Sequence, residues 1–477
     1  MASHRARVDK YNGDLNERVS LKRARRPRSQ NVRHQNFGET LSQQFMPDQL
    51  MQFKASAPSK VIATLTVILA LFSSWFVVRW YLGNTIAEYF HPEDHRLETA
   101  QMAVGLAPND PLPHWRLGNL AQKELPPDQI SMVVAEYEKA VSLSPSDYRL
   151  WVDFGSALEQ AGEFEKAEKA LREAVKLAPS YAYPHWYLGN LLLRTDRYTE
   201  GFAELRRASE ANDQFQPQLF NLAWQVNKGD FELLKAAVGN APATGAAFSK
   251  YLIERGRYDE GLQLWNSLTE ADKRQSRFAA DPIISTLVSN QRYHQAMEIW
   301  NEVAPGPAYR AEFGHILDGG FEDNLAHGPK AVFGWQVQSN SQVQIGIDAG
   351  QGHIGSRSLR VFFQVRSHID TINVSQLVPL KPNTEYDFEC YLKTERLESA
   401  ETPLVGITNA ADNSWLAGSP TAPSGNNNWQ RISLSFKTSA KTEAIRVNML
   451  RNSCPDSPVC PIFGTVWYDD FDLKPRK

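Results

Sequence analysis

Residues 148–180 read YRLWVDFGSALEQAGEFEKAEKALREAVKLAPS, and two amphipathic helices are legible in that one stretch. Trp151, Phe154 and Leu158 fall on one helical stripe, and Phe164, Ala167, Leu171 and Ala174 on a second, with Gly162 at the turn between them. No single helix pair of this kind buries both of its faces. The surrounding chain supplies the missing partners, because the same residues return in steps of 34: Pro145 and Pro179, Leu143 and Leu177, Ala140 with Ala174 and Ala208, Gly155 and Gly189, Phe164 and Tyr198. A fixed period of that length marks a stacked array of helix pairs with a continuous core.

The pattern of an early Trp, a Gly, an aromatic, Ala and a closing Pro, here Trp151, Gly155, Phe164, Ala167 and Pro179, resembles the tetratricopeptide repeat. The unit before it carries three extra residues near Pro126 and Pro127, and the unit after it has Gly201 for the small Ala and lacks the closing Pro. Degenerate units follow in GDFELLKAAV, GRYDEGLQLW and QRYHQAMEIW, which place Phe231, Tyr258 and Tyr293 at the aromatic position at uneven spacings of 33, 27 and 35 residues. The array is expected over residues 92–304. Trp115, Trp151 and Trp186 read as packing residues, and His114 and His185 as repeat positions rather than a metal pair. Such arrays normally bind a peptide or protein on their inner surface. The resemblance implies that Asn119 and Asn190, each following a Leu-Gly pair, are candidates to grip a peptide backbone.

After Pro305 the helical period vanishes. SLRVFFQV, EYDFECYL, RISLSFKT and TEAIRVNML alternate with turn-rich stretches, which predicts an antiparallel sandwich of eight or nine strands over residues 311–477. DGGFED at 318–323, GSRSLRVFF at 355–363 and VWYDDFDL at 466–473, in that order, resemble the jelly-roll carbohydrate-binding modules, or galactose-binding-like domains. In that family the first and last of these pieces meet at one edge and commonly hold a structural calcium. The resemblance therefore nominates Glu322 with Asp469 or Asp470 as ligands, since a hard cation takes carboxylate and carbonyl oxygens. A sugar is expected to stack on exposed aromatics of the concave sheet. The candidates are Trp415, Phe363 and Trp429, with His368, Asp370 and Asn373 as hydrogen-bonding partners, and Trp415 is preferred because the family usually uses the Trp429 position for core. Asn373, Val374 and Ser375 also form a glycosylation sequon. Nothing resembles a catalytic cleft or nucleophile motif, so the sequence reads as a non-enzyme.

Toward the other end, the eighteen residues Val61 to Val78 carry no charge and have no polar face, and Lys60 and Arg79 flank them. A helix of that length rises about 27 Å, and with Trp80, Tyr81 and Leu82 it suffices for a membrane span over residues 60–82, with Arg79 expected to snorkel to the headgroups. Residues 1–59 read as a disordered basic tail; through Lys60 there are twelve Lys and Arg against five Asp and Glu, a net +7 that keeps this end cytoplasmic. Everything after Leu82 is then periplasmic or extracellular. The whole chain has a net charge of −3, leaving about −10 beyond residue 60, which excludes a nucleic-acid role for the outer part. Cys454 and Cys460 are expected to form a disulfide and Cys390 to be a buried thiol, as an oxidising compartment allows. The chain is thus expected to be multidomain: one transmembrane helix, an all-α repeat solenoid, then an all-β jelly roll. It is expected to act in envelope or exopolysaccharide assembly, through protein partners on the repeats and polysaccharide on the sandwich, or as a purely protein-binding scaffold.

Overall fold

A computed structural model describes residues 57–89, 97–323, 332–337, 342–368, 371–454 and 460–476. The basic tail, and with it the expectation of disorder, lies outside the described residues. Helix α1, Ala57–Tyr89, contains the apolar run. It is the one helix among the described residues long and apolar enough to cross a membrane, and its most apolar stretch has no buried residue. Arg79, at the end of that run, donates from Nη2 to Gly105 O at 2.7 Å.

Helix α2, Leu97–Leu106, precedes six helix pairs: α3 Pro111–Glu124 with α4 Ile130–Leu143, α5 Tyr148–Gln160 with α6 Phe164–Leu177, α7 Ala182–Arg194 with α8 Tyr198–Ala211, α9 Gln216–Asn227 with α10 Phe231–Val238, α11 Pro242–Glu254 with α12 Tyr258–Asn266, and α14 Arg277–Ser289 with α15 Tyr293–Val303, the short α13 Glu270–Gln275 intervening. From α6 onward, every second helix starts on its repeat aromatic. Two residues earlier, at Gly162, Asp196, Gly229, Gly256 and Gln291, φ is positive, between 60° and 79°, which turns the chain back on itself. Gly155 and Gly189 are small because the partner helix sits on them. A Cβ on Gly155 would lie 2.6 Å from Leu171 Cγ, and one on Gly189 would lie 2.7 Å from Leu205 Cγ.

The sandwich has ten strands among the described residues rather than eight or nine. β1 Trp335–Val337, β4 Thr371–Pro379, β9 Ala444–Leu450, β6 Leu404–Asn409 and β7 Trp415–Gly418 form one sheet in that order. β2 Val343–Asp348, β3 Ser358–His368, β10 Pro461–Pro475, β5 Glu385–Glu398 and β8 Gly425–Lys437 form the other. The additional elements are short, three residues in β1 and four in β7, below what sequence alternation resolves. All paired strands are antiparallel. Cys454 and Cys460 are joined, and Cys390 is a buried free thiol whose titration burial pushes far up.

Solenoid and sandwich share a core. Tyr293, Met297, Trp300 and Val303 of α15 pack in one cluster with Phe333, Leu377 and Ala444 of the sandwich. Trp300 meets Phe333 edge-on with centroids 5.9 Å apart. His294 Nε2 lies 2.9 Å from Leu380 O, and Gln291 Nε2 donates to Ala411 O at 3.1 Å.

Candidate functional site

The first sheet carries Trp415 on its side away from the sandwich core, over a β6 that is buried along its whole length. Along β6, Val405 and Ile407 are buried inward, so the alternation turns Gly406 and Thr408 outward; along β9, Ile445, Val447 and Met449 point in and Arg446, Asn448 and Leu450 out. Register places Thr408 opposite Arg446 and Gly406 opposite Asn448, while β7 sets Gly418 beside Gly406. The indole of Trp415 fills the space over these two glycines. A Cβ on Gly406 would lie 2.8 Å from the ring, and one on Gly418 2.1 Å. Trp415 is nonetheless 55% exposed. Next to it Asn448 Nδ2 donates to Thr408 Oγ1 at 3.1 Å. An exposed indole beside amide, hydroxyl and guanidinium groups can pack an apolar ring face and hydrogen-bond that ring's hydroxyls.

The other sugar candidates do not join Trp415. Phe363 is 0% exposed inside the sandwich core, so its ring cannot meet a ligand, which corrects the expectation placed on it. Trp429 is half-buried on the outer side of the opposite sheet. There His353 stacks on Tyr391 at 3.7 Å between centroids and meets Trp429 at 5.7 Å. His368 and Asn373 fall in β3 and β4, but their side chains, and Asp370 entirely, lie outside the described residues.

The pieces DGGFED and VWYDDFDL do meet. Phe471 N–H donates to Gly319 O at 2.9 Å, so closely that a Cβ on Gly319 would lie 2.0 Å from Phe471 O. At this edge Asp469 is fully buried; its carboxylate accepts from His353 N at 2.6 Å and Asp470 N at 2.8 Å, and burial raises its pKa to about 6. Asp470 Oδ2 lies 2.6 Å from His353 Nδ1. Glu322 turns elsewhere: it accepts from Ser356 N at 2.8 Å and Arg357 N at 2.9 Å, bonds that hold its carboxyl below the usual range. Among the described residues no three His, Cys, Asp or Glu side chains stand close enough together to hold a metal, so Glu322, Asp469 and Asp470 are not assembled as a side-chain ligand set. Asp318, which the sequence reading did not nominate although it opens DGGFED, accepts from Asp323 N with Oδ1 at 3.3 Å. Its Oδ2 is buried without a hydrogen-bond partner, and burial raises its pKa to about 6. A buried carboxylate oxygen without a hydrogen-bond donor suits a hard cation.

In the solenoid, Asn119 Nδ2 donates to Trp115 O at 3.2 Å and Asn190 Nδ2 to Trp186 O at 2.7 Å, so each amide spends a donor on its own helix. On α5, Asp153 accepts from Trp115 Nε1 at 2.6 Å, and burial raises its carboxyl to about 6. Glu159, also raised by burial, pairs with Arg194 Nε at 2.7 Å. Both acids lie on α5, the first helix of the unit between those that carry the two Asn, and the repeat spacing had not marked them because the other units carry different residues there.

Fold and faces together define a tetratricopeptide-repeat scaffold followed by a sandwich of carbohydrate-binding type. Residues 134–182 and 152–217 match the family model described as Tetratricopeptide repeat, and residues 314–453 match that described as Carbohydrate binding domain. A TPR repeat-containing thioredoxin, TTL4, of Arabidopsis thaliana is 29% identical over 147 residues, covering 29% of this chain and 20% of that protein. The chain thus spans about a fifth of the length of this curated relative. Among solved structures, MamA (41-end) from Desulfovibrio magneticus RS-1 aligns with 33% of this chain and 90% of its own at 18% identity and a TM-score of 0.28. A structure described as "CBM4 structure and function" aligns with 34% and 99% at 12% identity and 0.27. Domains of these two classes bind peptides or proteins and carbohydrates respectively, and are typically non-catalytic.

Proposed function

We propose that this protein is a membrane-anchored, non-enzymatic scaffold whose repeats gather protein partners and whose sandwich contacts glycan outside the cytoplasm, in envelope or exopolysaccharide assembly. The supporting observation is Trp415, a large aromatic left 55% exposed over two glycines on the outer side of its sheet. A solvent-facing indole next to Asn448, Thr408 and Arg446 suits a sugar ring better than it suits folding. Calcium belongs to the same reading at the edge where the two terminal pieces of the sandwich meet, with the unpartnered Asp318 Oδ2 as its candidate ligand.

The test is a glycan array with the full chain in detergent or nanodiscs, followed by Trp415→Ala. The expected result is specific glycan binding that falls at least tenfold in the variant while the melting temperature stays within a degree or two, as for an exposed side chain. A blank array would favour a purely protein-binding scaffold. That second reading has its own support, since Leu377 and Ala444 of the Trp415 sheet are already committed to the solenoid. Orientation is tested separately with a tag after Lys477: protease added to spheroplasts should remove it, and full protection would overturn the topology.

A further inference from the structure

Helix α2 packs against residues 79–87 of α1. Gly83 and Ala107 are in such close register that a Cβ on Gly83 would lie 2.7 Å from Ala107 Cβ, and Ala87, Ala100 and Ala103 are buried in the same seam. Arg79 Nη2 donates to Gly105 O at 2.7 Å, at the carboxyl end of α2 where the helix dipole favours a cation. Trp80 Nε1 donates to Asp110 Oδ2 at 2.8 Å, and the other oxygen of Asp110 caps α3 by accepting from Leu112 N at 3.1 Å. Arg79 is the residue after Val78, the last of the uncharged run. Residues 79–89 and α2 therefore form a fastened pair that starts where that run ends.

Resting on the reading of α1 as a membrane span, we propose that the turn Gly105–Asn109 is a lipid-contact surface seated in the headgroup layer, so that the repeat array starts at the bilayer without a linker. At about 1.5 Å per helical residue, Gly83 and with it Ala107 lie about 7 Å beyond Val78, and the polar layer outside the hydrocarbon is about 5–8 Å deep. The surface suits that depth. From Thr99 to Asn109 there is no charged side chain, and Gly105, Pro108 and Asn109 are exposed. Arg79 is held on the turn, and the exposed Trp80 and Tyr81 flank it with the amphipathic rings that favour the interface. Met102, 60% exposed and farther up α2, marks the outer margin.

The test uses the full chain in phosphatidylcholine and phosphatidylglycerol nanodiscs, with single thiols at Asn109→Cys, Met102→Cys, Glu98→Cys and Leu69→Cys. The native thiols are bonded or buried, so an environment-sensitive maleimide reports the new position alone. A headgroup-proximal nitroxide lipid should quench position 109 strongly, 102 weakly and 98 not at all. Gly83→Leu, which forces the seam apart, should release position 109 and leave 69 quenched by a deep nitroxide. If 69 is quenched deep in the bilayer but 109 is no more quenched than 98, the lipid-contact surface is refuted while the span stands. If 69 itself is in water, the span fails and the surface with it.

Discussion

His185 offers a quantitative test of the repeat packing. Its ring is 4% exposed, with Nδ1 at 2.5 Å from Glu204 Oε2 and Nε2 at 2.9 Å from Pro179 O. Both neighbours are acceptors, so both ring nitrogens make bonds only when both carry protons, which is the imidazolium. The bond to Glu204 raises the pKa, burial opposes it, and the Pro179 carbonyl raises it further. Two units back, His114 repeats the arrangement with Glu136 at 2.7 Å and Pro108 O at 3.0 Å, and its pKa is raised by the same leading cause. A group whose folded pKa is raised contributes stability that is fully present below its unfolded value of about 6.5 and is lost as pH rises through the folded value. Two such groups binding protons only in the folded state give a slope of at most about −2.7 kcal/mol per pH unit just above about pH 6.5. His185→Gln should halve that slope and cost about 2–4 kcal/mol at pH 6, the worth of a charge-assisted bond together with the buried Glu204 left without it. Urea unfolding followed by circular dichroism, repeated from about pH 6 to 8.5, measures both quantities. Stability that is flat or rising over this range in the parent, or a slope unchanged in His185→Gln, would refute the imidazolium assignment.

Other outcomes follow from the same geometry. Gly189→Ala should destabilise the array by about 1–3 kcal/mol, because its Cβ meets Leu205 Cγ at 2.7 Å and Gly201 O at 3.0 Å, whereas Gly162→Ala, in open space at φ 79°, should cost about 1 kcal/mol from backbone strain alone; denaturant midpoints separate the two. Asp318 and Asp469, both raised to about 6, contribute stability present below the unfolded carboxylate value of about 3.9 and lost as pH rises through about 6. Calcium should therefore raise the melting temperature at neutral pH more than at pH 5, and Asp318→Asn should stabilise the chelated protein while removing most of the calcium increment; equal melts in calcium and chelator would count against the site. Reduction of the Cys454–Cys460 bond should lower sandwich stability by about 2 kcal/mol, the entropy of opening a short loop, read as a shift in its unfolding midpoint.

The sequence disclosed most where one residue type answers one local demand. Phe164, Tyr198, Phe231, Tyr258 and Tyr293 begin second helices as the aromatic spacing predicted, and Gly162, Gly229 and Gly256 announce the left-handed turn before them. Asp196 and Gln291 hold the same conformation without glycine, so those turns carry no compositional signal. In the sandwich, adjacent Phe362 and Phe363 present both parities of one strand, and alternation alone could not say which ring is inside. The pairing of Phe363 with Val343 and Gly464 resolves it, and Phe363 goes to the core. Asp318 was missed because an Asp-Gly-Gly opening looks like an ordinary turn. Its burial depends on a strand about 150 residues later, which no local window contains.

The joint between solenoid and sandwich changes how the two functional readings relate. A repeat array ends with an apolar helix face that needs a cover, and stacking more repeats only moves the problem along. Here Tyr293, Met297 and Trp300 of the last pair are covered by Leu377, Ala444 and Phe333, and the first two of these sandwich residues come from the very sheet that carries Trp415. Register sets Leu377 opposite Arg446, with Asn448 and Leu450 following along β9. One end of the face is therefore consumed as a cap, while beyond it Arg446, Asn448 and Leu450 are half-buried and Trp415 is exposed. Capping and the proposed ligand contact fall on successive rows of one sheet, and a glycan resting on Trp415 would be held at a fixed distance from the end of the repeat array.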